Sequence, residues 1–76
     1  MNKARRAKIN SIINSIQDLK SDLECVHDEE EEAMDNMPES LQESERYERM
    51  EEACDNMSDA MDALDEAIES LEAVME

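Results

Sequence analysis

An all-α fold, an antiparallel hairpin of two long helices, is predicted by three features of the sequence. The chain has no Gly, Trp or Phe and a single aromatic residue, Tyr47. Sheets draw on β-branched and aromatic residues and on turn chemistry, and both are scarce here. Two long segments carry apolar residues at alternating spacings of three and four, the signature of helices packed along a seam. Between them lies Pro38, the only proline in the chain.

The first helix is expected over residues 2–36. Its seam reads Ile9, Ile12, Ile16, Leu19, Leu23, Val26, Glu30, Ala33 and Met37, with Glu30 as the one misfit. Pro38 ends it, because proline cannot continue a helix and disfavours helical geometry at Met37. The turn is expected over residues 37–43, with Leu41 folded beneath it as a plug. Two starts are open to the second helix. Ser44 is a good N-cap followed by an acid in the first turn. Ser40 with Glu43 has the spacing of a capping box, which places the start a turn earlier. Ser44 is favoured, and the second helix then runs over residues 44–75.

The second seam reads Tyr47, Met50, Cys54, Met57, Met61, Leu64, Ile68, Leu71 and Met75, without a misfit. Beside it lie Ala53, Ala60, Ala67 and Val74, seven apart, so this apolar face is three positions per heptad wide. A lone hairpin buries little apolar surface against the conformational entropy of a chain of 76 residues. A homodimer of hairpins forming a four-helix bundle is therefore expected.

One phrase occurs twice. EEAMDNM, residues 31–37, returns as EEACDNM, residues 51–57, and only Met34 and Cys54 differ. Both copies place apolar residues on one side of a helix, and shared packing requirements explain this more simply than duplication.

The charge is the strongest chemical feature. There are 23 acids against 7 bases, a net charge of −16. Residues 1–20 hold Lys3, Arg5, Arg6, Lys8 and Lys20 against Asp18, whereas residues 21–76 hold 22 acids against Arg46 and Arg49. Bases at a helix N-terminus oppose the macrodipole, but in a hairpin they lie beside Glu69, Glu72 and Glu76. The field repels nucleic acid and anionic membranes, so neither is an expected partner. No apolar run approaches the ~18 residues of a spanning helix. The basic amino terminus lacks the apolar core of a signal peptide, and two cysteines without a disulfide framework suit a reducing compartment, so a cytoplasmic protein is expected.

Catalysis requires a nucleophile, a base and an orienting group in a pocket. One histidine and a thin bundle do not supply them, and no enzyme and no cofactor are expected. Glu24-Cys25-Val26-His27 has the Glu-x-x-His spacing of di-iron bundles. With Val26 in the seam, Glu24 points outward and His27 lies at the flank, so no metal site is expected. The run Asp28–Glu32 lacks the glycine turn and alternating ligands of a calcium loop. The seven methionines are read as core filling, with an adaptable binding surface as the alternative.

The candidate binding surface is the acidic face of the second helix: Glu48, Glu51, Glu52, Asp55, Asp59, Asp62, Asp65, Glu66 and Glu69, continued by Glu72 and Glu76. These acids span about 43 Å of helix at 1.5 Å per residue. That is roughly one charge per 4 Å, near the 3.4 Å phosphate spacing along a DNA strand. Like charges at i,i+4 repel, and an ordinary solvated helix intersperses lysines, of which this segment has none.

The stretch DEEEEAMDNMPESLQESERYERMEEACDN, residues 28–56, resembles a group of short acidic proteins found in bacteriophages and prophages. An acidic run, an Asp-Asn-apolar-Pro-Glu turn, a Leu-Gln pair and a Ser-Glu-Arg helix start carry the likeness, and the opening MNKARR fits it. The resemblance implies a phage setting and no site residues. Phage accessory proteins include small binders of host machinery, among them acidic nucleic-acid mimics. The expected function is a non-enzymatic module that engages a basic, nucleic-acid-handling host protein. The alternatives are a structural coiled-coil or assembly adaptor whose acidity serves solubility and, last, a metal-binding bundle.

Overall fold

Asn2 starts the first helix. Its side-chain oxygen accepts from the Arg5 backbone N–H at 2.9 Å, satisfying one of the orphan donors of the first turn. The computed structural model, which describes residues 1–76, places helix α1 over Lys3–Asp35. Asn36 closes it, its N–H donating to the Glu32 carbonyl at 3.0 Å. Pro38 follows, and a single 3₁₀ turn, Glu39–Leu41, carries the chain around. Gln42 Nε2 donates to the Met37 carbonyl at 3.3 Å and ties the turn to the end of α1.

Helix α2 spans Glu45–Val74. Ser44, not Ser40, caps it: Ser44 Oγ accepts from the Tyr47 N–H at 3.2 Å and donates to the Leu41 carbonyl at 2.6 Å. Leu41 is 48% exposed, so it is no plug. Its place in the 3₁₀ turn aims it at solvent. The two helices pack antiparallel along a rod whose Cα extents are 59 × 15 × 13 Å.

The seam of α1 differs from the expected one. Facing α2 are Ile9, Ile13, Ile16, Lys20, Leu23, His27, Glu30, Met34 and Met37, all buried or half-buried. Ile12, Leu19, Val26 and Ala33 are exposed, the first three at 49%, 60% and 52%. Relative to expectation, α1 is turned about its axis by half the angle between neighbouring residues. Apolar residues of α1 fall in three rows, one of which also carries Lys20 and His27, and one neighbouring helix covers only two rows. The seam of α2 is the expected one.

Burial across the seam is lopsided. The four buried residues are Ile13, Met34, Cys54 and Ile68. They belong to one row along the rod, made of Ile13, Lys20, His27 and Met34 on α1 and Tyr47, Cys54, Met61, Ile68 and Met75 on α2. The other row comprises Ile9, Ile16, Leu23, Glu30 and Met37 with Met50, Met57, Leu64 and Leu71, and every member is only half-buried. Long polar side chains roof the first row. The second row is bordered by the exposed apolar residues just named and by the short alanines of α2.

Candidate protein-binding surface

The polar side of the hairpin is built where first-row positions meet the residues four further along each helix, which share their face. Lys20 Nζ donates to Asp65 Oδ1 at 2.7 Å, a contact between α1 and α2. That hydrogen bond raises the Lys20 pKa above its ordinary value against the lowering effect of burial, with the charges of Asp65, Glu24 and Asp62 adding to it. His27 lies in the seam, not at its flank as expected, with its side chain 15% exposed. Its Nε2 is 3.3 Å from Ser58 Oγ and 3.7 Å from Glu31 Oε2, and its Nδ1 is 3.3 Å from Asp28 Oδ1. Lys20, Glu24, His27, Asp28, Ser58 and Asp62 rim a shallow, open depression there. No three His, Cys, Asp or Glu side chains are placed to hold a metal ion.

All nine candidate residues of α2 are exposed. Glu48, Glu51, Glu52 and Asp55 enclose a second shallow depression near the turn, with no apolar lining. Asp59, Asp62, Asp65, Glu66 and Glu69 continue the surface toward the open end of the hairpin. Asp65 alone among the nine is engaged by a cation. Of the 23 carboxylates, only Asp28, Glu31, Glu45 and Asp65 lie within 4.0 Å of a basic nitrogen. The Glu45 partner, Arg49 at 2.6 Å, is one turn along the same helix.

Lys20 and His27 are the site residues that the expected α1 seam missed. The signal was present in the spacing, because Ile9, Ile13, Ile16, Leu23, Met34 and Met37 alternate by fours and threes with polar residues at the intervening positions. Apolar content alone favoured the neighbouring row. Cys54, in the seam as expected, is buried, and Cys25 is exposed. Burial, ahead of the nearby Glu30, Glu31, Asp55 and Asp35, raises the Cys54 pKa and keeps it a thiol.

The fold thus defines an antiparallel helical hairpin with one acidic and one apolar side, and no helix is long and apolar enough to cross a membrane. Comparison of the chain with protein-family models, curated proteins and solved structures finds no match.

Proposed function

We propose that the hairpin is a non-enzymatic, phage-encoded binding module that works in the host cytoplasm as a homodimer and engages a basic, nucleic-acid-handling host protein through α2. The observation that carries this reading is the row of exposed carboxylates from Glu48 to Glu69, of which only Asp65 is held by a cation of its own chain. An uncompensated row of like charges opposes folding. Its spacing suits a surface that otherwise follows a phosphate backbone, where many weak contacts add up.

Affinity capture from a bacterial lysate over a salt series tests it, with wild type beside a variant in which Asp55, Asp59, Asp62, Glu66 and Glu69 are changed to Asn or Gln. Nucleases, polymerases or repair proteins should be recovered by wild type alone and released as salt rises. Recovery of the same proteins by both chains would sink the reading.

The adaptor reading stands second, favoured by the exposed apolar row of α1.

A further inference from the structure

Four of the six large apolar residues exposed on this molecule share one side of the rod: Ile12, Leu19, Val26 and Val74, at 49–60%. The contacts of Lys20 with Asp65 and of His27 with Ser58 place the polar residues of both helices on the opposite side. The α1 row and the alanine row of α2 therefore border the same half-buried row of the seam. No part of the chain covers this side.

We propose that a second copy of the chain covers it, packed so that the turn of each hairpin lies over the open end of the other. This deepens the homodimer reading by naming its face and its axis.

Three observations select a second copy in this orientation. The rod is 59 Å long and 15 Å wide between Cα atoms, which leaves room on one side for the roughly 800 Å² that each partner contributes to a standard interface.

The charge is divided along the rod. The turn half, residues 23–63, holds 16 acids against Arg46 and Arg49, a net of −14, and the remaining residues of the open half sum to −2. Stacking turn on turn opposes two strongly charged halves, whereas the inverted arrangement sets each over a nearly neutral one. It also brings Arg5, which continues the α1 row, over the partner's turn with its Glu39 and Glu43.

The third observation is register. A two-fold axis across the rod requires that both apolar rows be centred at one height. The α1 row is centred between Leu19 and Val26, and the α2 row between Ala60 and Ala67. The Lys20–Asp65 contact, at 2.7 Å, places these two midpoints side by side. The axis then sets Ile12 over the partner's Ala33 and Val74 over the partner's Ala53, large against small. Neighbouring helices of the four-helix bundle are all antiparallel, and the acidic face of each α2 points away from the interface. The two α2 helices then lie along one edge of the dimer, and their acidic faces adjoin there.

Sedimentation equilibrium and spin-label distances test the proposal together. Wild type should be dimeric at micromolar concentration. Ile12→Glu with Leu19→Glu, or Ala60→Glu with Ala67→Glu, should weaken the dimer by about 100-fold or more while helicity is kept, since all four positions are exposed. For orientation, Glu43→Cys is labelled in a chain carrying Cys25→Ser and Cys54→Ala, which needs neither pair of substitutions. The two labels should lie about 55 Å apart, from the ~1.5 Å rise per residue between turn and axis. A monomeric wild type overturns both the dimer and this face. A dimer that survives both glutamate pairs overturns the face, and labels within about 20 Å, at neighbouring-helix separations, overturn the orientation. Capture that fails on an intact inverted dimer removes the mimic reading alone.

Discussion

Met34 and Cys54 touch across the hairpin, Cys54 Sγ donating to Met34 Sδ at 3.6 Å. They are also the one position at which EEAMDNM and EEACDNM differ. The two copies of the phrase pack against each other, antiparallel, about this contact. An antiparallel helix pair has a local two-fold axis, so the same residues suit both strands of it everywhere except at the axis. There one side chain meets its own counterpart, and a large and a small residue fill the space better than two large ones. Both side chains are buried, at 8% exposure.

Ile13 is the most buried residue, at 6%, whereas Leu41 is 48% exposed. Ile13→Ala should destabilise the hairpin by about 2–4 kcal/mol, from lost burial and the cavity left behind. Leu41→Ala should stay within about 0.5 kcal/mol, as an exposed substitution. Urea unfolding of the two variants separates them. A cost at Leu41 equal to that at Ile13 would restore the plug.

His27 sets a polar side chain into an otherwise packable seam position. A polar residue at such a position specifies register and lowers stability. His27→Leu should therefore raise stability by about 1 kcal/mol, because an apolar side chain replaces an imidazole in the seam. Thermal melts at matched protein concentration measure it. A lower melting point would mean that the contacts with Ser58, Asp28 and Glu31 outweigh the burial gained.

Cys54 and Lys20 both hold their protons more tightly in the folded chain than in the unfolded one. The folded state then binds more protons above the ordinary thiol value of 9.0, and above the ordinary lysine value of 10.5. Stability from these groups is fully present below those values and is lost as pH rises through the folded ones. Denaturant midpoints should fall from about pH 9 upward. Cys54→Ala should remove the first part of the fall. At mildly alkaline pH a thiol reagent should label Cys25 quickly and Cys54 only as the hairpin opens. Equal labelling rates would contradict the burial of Cys54.

The five-fold neutralisation of Asp55, Asp59, Asp62, Glu66 and Glu69 should act in opposite directions on folding and on binding. Melting temperature should rise, because i,i+3 and i,i+4 repulsion is removed from an exposed face. Wild type should gain the same stabilisation from added salt, and the variant should gain less. Each single change should alter partner affinity by about 0–1 kcal/mol, the range of exposed ion pairs. A variant no more stable than wild type would show that these carboxylates do not repel one another.

Much of this was legible in the residues alone. The absence of glycine and of strand-forming residues left only helices, Pro38 located the break, and Ser44 carried the chemistry of the second cap. The α2 seam was readable because every position in it is apolar or Tyr47. The carboxylates of α2 were readable as exposed because none falls in that seam. All of these are local properties, set by backbone sterics, capping and the helical period. The rotation of α1 was not readable. Its apolar residues fall in three rows, and the more apolar outer row, Ile12, Leu19, Val26 and Ala33, lies outside the seam while the row that carries Lys20 and His27 lies in it. Only the tertiary structure decided that Lys20 and His27 enter the seam, where Asp65 and Ser58 meet them, and that Ile12, Leu19 and Val26 stay outside. A helix pair can close over two rows and no more, so what the third row faces is settled by packing between elements, which no local pattern encodes.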